Sequence, residues 1–209
     1  QNIVQANLAK AFAIENLAEI SLQTNEVKKS MELIHEAITL LASPCGMDQN
    51  GNPILKNCFT ANGIHLLRQL LLKQKIYLQA GTSKSEFLIQ ATAISAKLDS
   101  LSSMVLQQAY LDESKLYLLD QLSNKTEWQL KAGLALYQKT KKAEDLEACA
   151  NFVSASKSFV LKQYLDQNKL LYLKKENRNF GNIIELREKL GKLRSTIETS
   201  NNKEDSLYA

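Results

Sequence analysis

Val27, Met31, Ile34, Ile38 and Leu41 follow one another at intervals of four, three, four and three residues, and the same rhythm returns sixty residues on at Phe87, Ala91, Ile94, Leu98 and Leu101. A helix with about 3.6 residues per turn carries apolar residues at this spacing on one side, so each run predicts an amphipathic helix. Neither helix can shield its own stripe from water. Upstream of the first run, Val4, Leu8, Ala11, Ile14 and Ala18 form another stripe, and Ile64, Leu67, Leu71 and Leu78 roughly parallel it before the second. The sixty-residue shift sets Val4 on Ile64, Ala11 on Leu71 and Ala18 on Leu78, but Leu8 on Arg68 and Ile14 on Gln74. The first hundred residues therefore read as one helix pair written twice, closely for its second helix and loosely for its first. Ala11 and Ala18 are small enough to let a partner helix approach closely.

Little in the chain interrupts helix. Of 209 residues only seven are glycine and two proline, with 44% hydrophobic residues to supply a core,. Both prolines, Gly46 and Gly51 fall in SPCGMDQNGNPILKNC, residues 43–58, the one long loop expected. Without that insertion the repeat is about 45 residues, a length at which helix pairs stack as solenoids. An irregular helical bundle is the alternative. Asn25 is expected to cap the second helix and Thr82 or Ser83 the fourth. Further on, the QKTKKAED segment reads as the turn of an antiparallel hairpin, its lysines closing one helix and Glu144 and Asp145 opening the next,. These signals place helix pairs at about 3–42, 60–101, 103–140 and 143–198 in one domain over residues 1–200, with a polar tail at 201–209.

Chemistry is hard to find in these residues. His35, Cys45, Cys58 and His65 are separated by ten, thirteen and seven residues, which matches no close-paired metal-ligand motif,. They also include no recognisable orienting partner or oxyanion site for a nucleophilic dyad. Glycines are too scattered for a phosphate cradle, and Glu32 and Glu36 suit a solvated helix face. No metal, no cofactor and no enzyme activity are expected. The formal charge of +4 is too mild for a nucleic-acid partner, and no apolar run reaches the length of about 18 residues that crosses a bilayer,. The expectation is a soluble chain, cytoplasmic by default with export left open; a start at Gln1 suggests a processed or truncated product, and export would permit a Cys45 to Cys58 bridge. The basic run between Lys174 and Arg194 reads as the wet side of an amphipathic helix, with a surface for an acidic partner as the alternative. Three or four tyrosines of the second half read as core residues with their hydroxyls at the rim, one or two being open as anchors for a peptide or a neighbouring domain.

LQQAYLDESKLYLLDQ, followed by LALYQKTKKAEDLEACANFVSASKSFVLKQYL, resembles the tetratricopeptide-like region that lies immediately upstream of the caspase-like CHAT domain in large bacterial proteins. The resemblance covers residues 76–198 and rests on Glu113, Ser114 and Lys115, on Leu134 to Thr140, and on Ser154 to Ser158; an acidic position of the last element is filled here by Ser154 or Ala155. It implies an all-α fold of antiparallel helix pairs stacked as a short right-handed tetratricopeptide-like solenoid. It also implies that the family's catalytic α/β domain is absent, so that no catalytic role passes to His35, His65, Cys45, Cys58 or Cys149. The chain would then be a protein-interaction or scaffolding part of a longer protein, binding a protein, a peptide or a neighbouring domain. Lys10, Asn16, Arg68, Gln69, Lys73 and Gln74, on the first helices of the pairs, are the expected exposed groove residues. A purely structural spacer or oligomerisation domain is the alternative.

Overall fold

The computed structural model describes residues 2–42, 45–55, 63–108, 112–154 and Lys189. Five helices follow in order: α1 (Asn2–Gln23), α2 (Val27–Ala42), α3 (Gly63–Ala80), α4 (Ser85–Gln108) and α5 (Asp112–Thr140). A sixth, α6, is described over residues 143–154. Among the described residues the domain is all-α, with repeated paired packing: α1 lies on α2 and α3 on α4, while α2 joins α3 and α4 joins α5.

Both rhythmic stripes face the core. Ile34, Ile38 and Leu41 of α2 are buried, with Val27 and Met31 packed against them, and Ala91, Ile94, Leu98 and Leu101 of α4 are fully buried. Ala11 and Ala18 of α1 have no exposed surface, and the gap they leave is used: the buried Ser30 hydroxyl on α2 donates to the Ala18 carbonyl at 2.7 Å. Gly133 does the same for the last pair. A side chain there would collide with the Cys149 sulfur, so α5 and α6 meet through a missing Cβ.

The helix ends differ in detail from the sequence expectation. Asn25 does not cap α2. Its φ of 64° makes it the left-handed residue that closes α1, with Glu26 N–H donating to Ser21 O at 2.8 Å and Asn25 N–H to Leu22 O at 3.0 Å,. The first turn of α2 starts instead from the Glu26 carbonyl, which accepts from Ser30 N–H. Thr82 and Ser83 likewise do not cap α4; their hydroxyls donate back to Gln79 O and Ala80 O at the end of α3. In both cases the short polar side chain or left-handed backbone serves the helix that is ending, because its last carbonyls have no partners of their own.

α4 runs on to Gln108, so residues 103–108 finish that helix and do not open a third pair. α5 pairs with α6 across the predicted turn, where Lys141 adopts a φ of 58° and the Thr140 hydroxyl bonds the Asp145 carboxylate. The tail, the basic run from Lys174 to Arg194 apart from Lys189, and Cys58 lie outside the described residues.

The described part of the long loop, residues 45–55, is built into the core. Cys45, Leu55 and Pro53 are buried, and Cys45 is disulfide-bonded, whereas Cys149 is free. Asp48 organises the turn, its Oδ1 accepting from the N–H groups of Asn50 (3.0 Å) and Asn52 (2.9 Å),. Gly51, at a φ of 64°, rests its bare Cα against the His35 imidazole of α2. From α4, the Lys97 ammonium lies 3.2 Å from Asp48 Oδ2. The loop thus touches α2 on one side and α4 on another and wedges the first helix pair to the second.

Candidate interaction face on the first helices

The six residues expected to line a groove separate into two groups. Lys10 and Asn16 on α1 are exposed; the Lys10 ammonium pairs with Glu36 of α2 at 3.4 Å. Arg68 on α3 is partly exposed and reaches back to Glu15 of α1 at 3.3 Å. Gln69, Lys73 and Gln74 are buried, which corrects their placement on an open face. The reason is the position of α3. An amphipathic pattern anticipates one covered side, but α3 packs on α2, α4 and α5 together, so polar residues on three sides of it are drawn inward.

Each buried group has a distinct environment. Lys73 sends its ammonium into the wedge loop, where Asn50 O (3.1 Å), Gly51 O (2.7 Å) and Asn52 Oδ1 (2.8 Å) accept from it. Burial lowers its pKa to about 8, against the pull of the nearby Asp48 carboxylate,. Burial by itself would raise Asp48, but the N–H groups of Asn52 and Asn50 and the Lys97 ammonium hold it below the ordinary carboxylate range. Gln74 donates to Ala91 O at 3.0 Å and to Ser95 Oγ at 2.8 Å on α4. Gln69 lies beside Glu15, and neither polar atom of its carboxamide completes a hydrogen bond among the described residues.

Glu15 and His65 complete this inter-pair contact. Burial pushes the Glu15 carboxyl up, and Arg68 only partly offsets it. His65 packs edge-on against Phe12 with ring centroids 4.4 Å apart, and burial followed by the Arg68 charge lowers its pKa. These groups tie α1 to α3. They do not converge on an open cleft with a nucleophile and a base. Among the described residues no three His, Cys, Asp or Glu side chains come together as metal ligands, and no helix is long and apolar enough to cross a membrane.

Outward-facing chemistry on the first helices also lies further along, where α3 meets α5. Lys75 and Lys131 both place an ammonium over the Trp128 ring, at 5.1 and 4.3 Å from its centroid,. Glu127 pairs with Lys131, whose hydrogen bond and charge, with a further contribution from Lys75, lower the glutamate's pKa. Sequence reasoning passed over these residues. The available signal was a lone tryptophan three residues before a lysine on a predicted helix, with Lys75 seven residues beyond Arg68 on another.

No protein-family model matches the chain, and no curated protein or solved structure matches it significantly.

Proposed function

We propose that this chain is a non-catalytic protein-interaction module of the tetratricopeptide-like kind, a short right-handed solenoid whose first helices α1, α3 and α5 form the binding side, and that it belongs to a longer protein with a CHAT domain. The observation that carries the reading is the order of packing. α3 lies against α5, its counterpart in the next pair, as well as against its own partner α4, so first helices adjoin first helices along the array. The sequence resemblance over residues 76–198 is what supports the family reading. Bonded Cys45 favours an oxidising compartment over the cytoplasm,.

The test is site-specific photocross-linking in the full-length protein. A benzophenone side chain at Asn16 on α1 or at Lys131 on α5 should capture a discrete partner or the adjoining domain. The same probe at Lys29 on α2 or Ile89 on α4, both exposed on second helices, should not. Equal capture from both sets would overturn the reading in favour of a spacer.

A further inference from the structure

We propose that the strip formed by Lys75, Trp128 and Lys131 docks an acidic peptide segment of a partner protein; this rests on the interaction-module reading and gives that module its ligand class. Charge is the first argument. Among the described residues two ammoniums share one indole, Glu127 is the carboxylate that pairs with Lys131, and Lys75 has no ion pair. An incoming Glu or Asp between the lysines completes the balance, and its methylenes or an adjacent aliphatic residue cover the half-buried ring. A partly buried tryptophan is the kind of anchor on which binding energy concentrates.

Preorganisation is the second argument. Next to Trp128 in sequence, Gln129 is buried and donates to Ser95 O (3.1 Å) and to Asp99 Oδ1 (3.0 Å), and the Lys125 ammonium lies 2.6 Å from the same Asp99 oxygen. This network fastens α5 to α4, so the indole is held before anything binds and little ordering remains to oppose association. The lysines, drawn over the ring, are likewise partly ordered. Two cations are too few to hold a nucleic acid, whose binding depends on neutralising many phosphates.

Trp128 is the only tryptophan in the chain, so its fluorescence reports on the strip alone. A displayed library of random twelve-residue peptides, panned on the full chain, should enrich sequences with Glu or Asp beside Leu or Phe. The best peptide, made synthetically, should change Trp128 emission saturably. Lys75→Gln with Lys131→Gln should weaken it about tenfold, with the circular dichroism and thermal midpoint unchanged. Glu127→Gln should strengthen it several-fold, because it removes the internal competitor for Lys131. No acidic enrichment, enrichment undiminished in the double variant, or weaker binding after Glu127→Gln would each overturn the proposal. Equal binding of a thymidine oligonucleotide would overturn it too, by showing a general polyanion site. First-helix cross-linking that persists while the strip fails would leave the module reading standing and sink only its ligand.

Discussion

α1 and α3 occupy corresponding places in two copies of one helix pair, yet their outward sides live in different solvents. Ala6, Ala9, Ala13, Leu17 and Ile20 are exposed on α1, the last two by 52% and 55%. Sixty residues on, their counterparts are Leu66, Gln69, Lys73, Tyr77 and Ala80, of which only Tyr77 keeps partial exposure and the others are buried. α3 packs on α2, α4 and α5 and grips the wedge loop through Lys73, whereas α1 packs chiefly on α2 among the described residues. Burial here is decided by rank in the stack and not by residue type, since the exposed set is wholly apolar and the covered set contains a lysine and a glutamine. The departures from the repeat have the same origin. Arg68, standing where Leu8 stands in the first copy, reaches back to Glu15, and Gln74, standing for Ile14, bonds two groups on α4.

Exchanging residues between the copies gives the sharpest test. Lys73→Ala removes an ammonium whose burial is itself costly, but it also leaves three acceptors in the loop without their donor and opens a cavity beneath them. We expect a net loss of about 3 kcal/mol at pH 7, read from the urea midpoint. The mirror change, Ala13→Lys on the exposed side of α1, should alter stability by less than about 0.5 kcal/mol. Comparable effects from the two would show that the stack does not impose the difference. pH refines the comparison. In the folded chain Lys73 gives up its proton near pH 8, and in the unfolded chain near the ordinary lysine value of 10.5, so between these limits the unfolded state binds more protons and stability rises with pH. The gain is at most roughly 3 kcal/mol and is lost as pH falls back through 8. Lys73→Ala lacks it, so the variant's deficit should widen from pH 7.5 to pH 10. A deficit that narrows would mean that the loop is held by the charge of the ammonium and not by its donors.

The stripes at Val27 to Leu41 and Phe87 to Leu101 were legible because a period of three and four has a single structural meaning, and the hairpin at residues 138–145 because lysines and carboxylates sort themselves to opposite helix ends. Gln69, Lys73 and Gln74 were misplaced for an equally physical reason. Polarity in a sequence records what a side chain needs, which is a partner, and not whether water or protein supplies it. Lys73 found its partners in the carbonyls of Asn50 and Gly51 and the side-chain oxygen of Asn52, in a segment that read only as one long loop between the pairs. No local signal announces that a loop will be grasped by a lysine more than twenty residues away. The Trp128 strip was passed over for a similar reason: its tryptophan and Lys131 could be read on one helix, but the approach of Lys75 from another is settled only by the stacking of pairs.

The last pair offers a smaller contrast with the first. α1 and α2 come close over alanines, whereas α5 and α6 come close over Gly133, with the Cys149 sulfur in the space a side chain would take. Gly133→Ala gains helix propensity of about 1 kcal/mol but forces the helices apart, and we expect overpacking to prevail with a net loss of about 1 kcal/mol. Cys149→Ala in the same chain should reverse that loss by freeing the space. Ala18→Gly in α1 should lose about as much, for the opposite reason: nothing is relieved, and helix propensity is sacrificed. A Gly133→Ala chain more stable than the parent would show that α6 is not held against α5.

The smallest effect belongs to the exposed side of α1, and it is the one that separates rank from composition most cleanly. Leu17→Gln and Ile20→Gln replace large aliphatic side chains, which inside a core would cost several kcal/mol each. On α1 the same changes meet water already, so the folded state loses little contact and the unfolded state little exposure. The expected shift in the urea midpoint corresponds to less than about 0.5 kcal/mol for each. Tyr77→Gln, at the position matching Leu17 one pair later, should cost several times more, because its ring packs against Phe87 and beneath the Lys73 ammonium. If Leu17→Gln proved as costly as Tyr77→Gln, the outward side of α1 would be covered in solution, and the difference between the two copies would vanish with it.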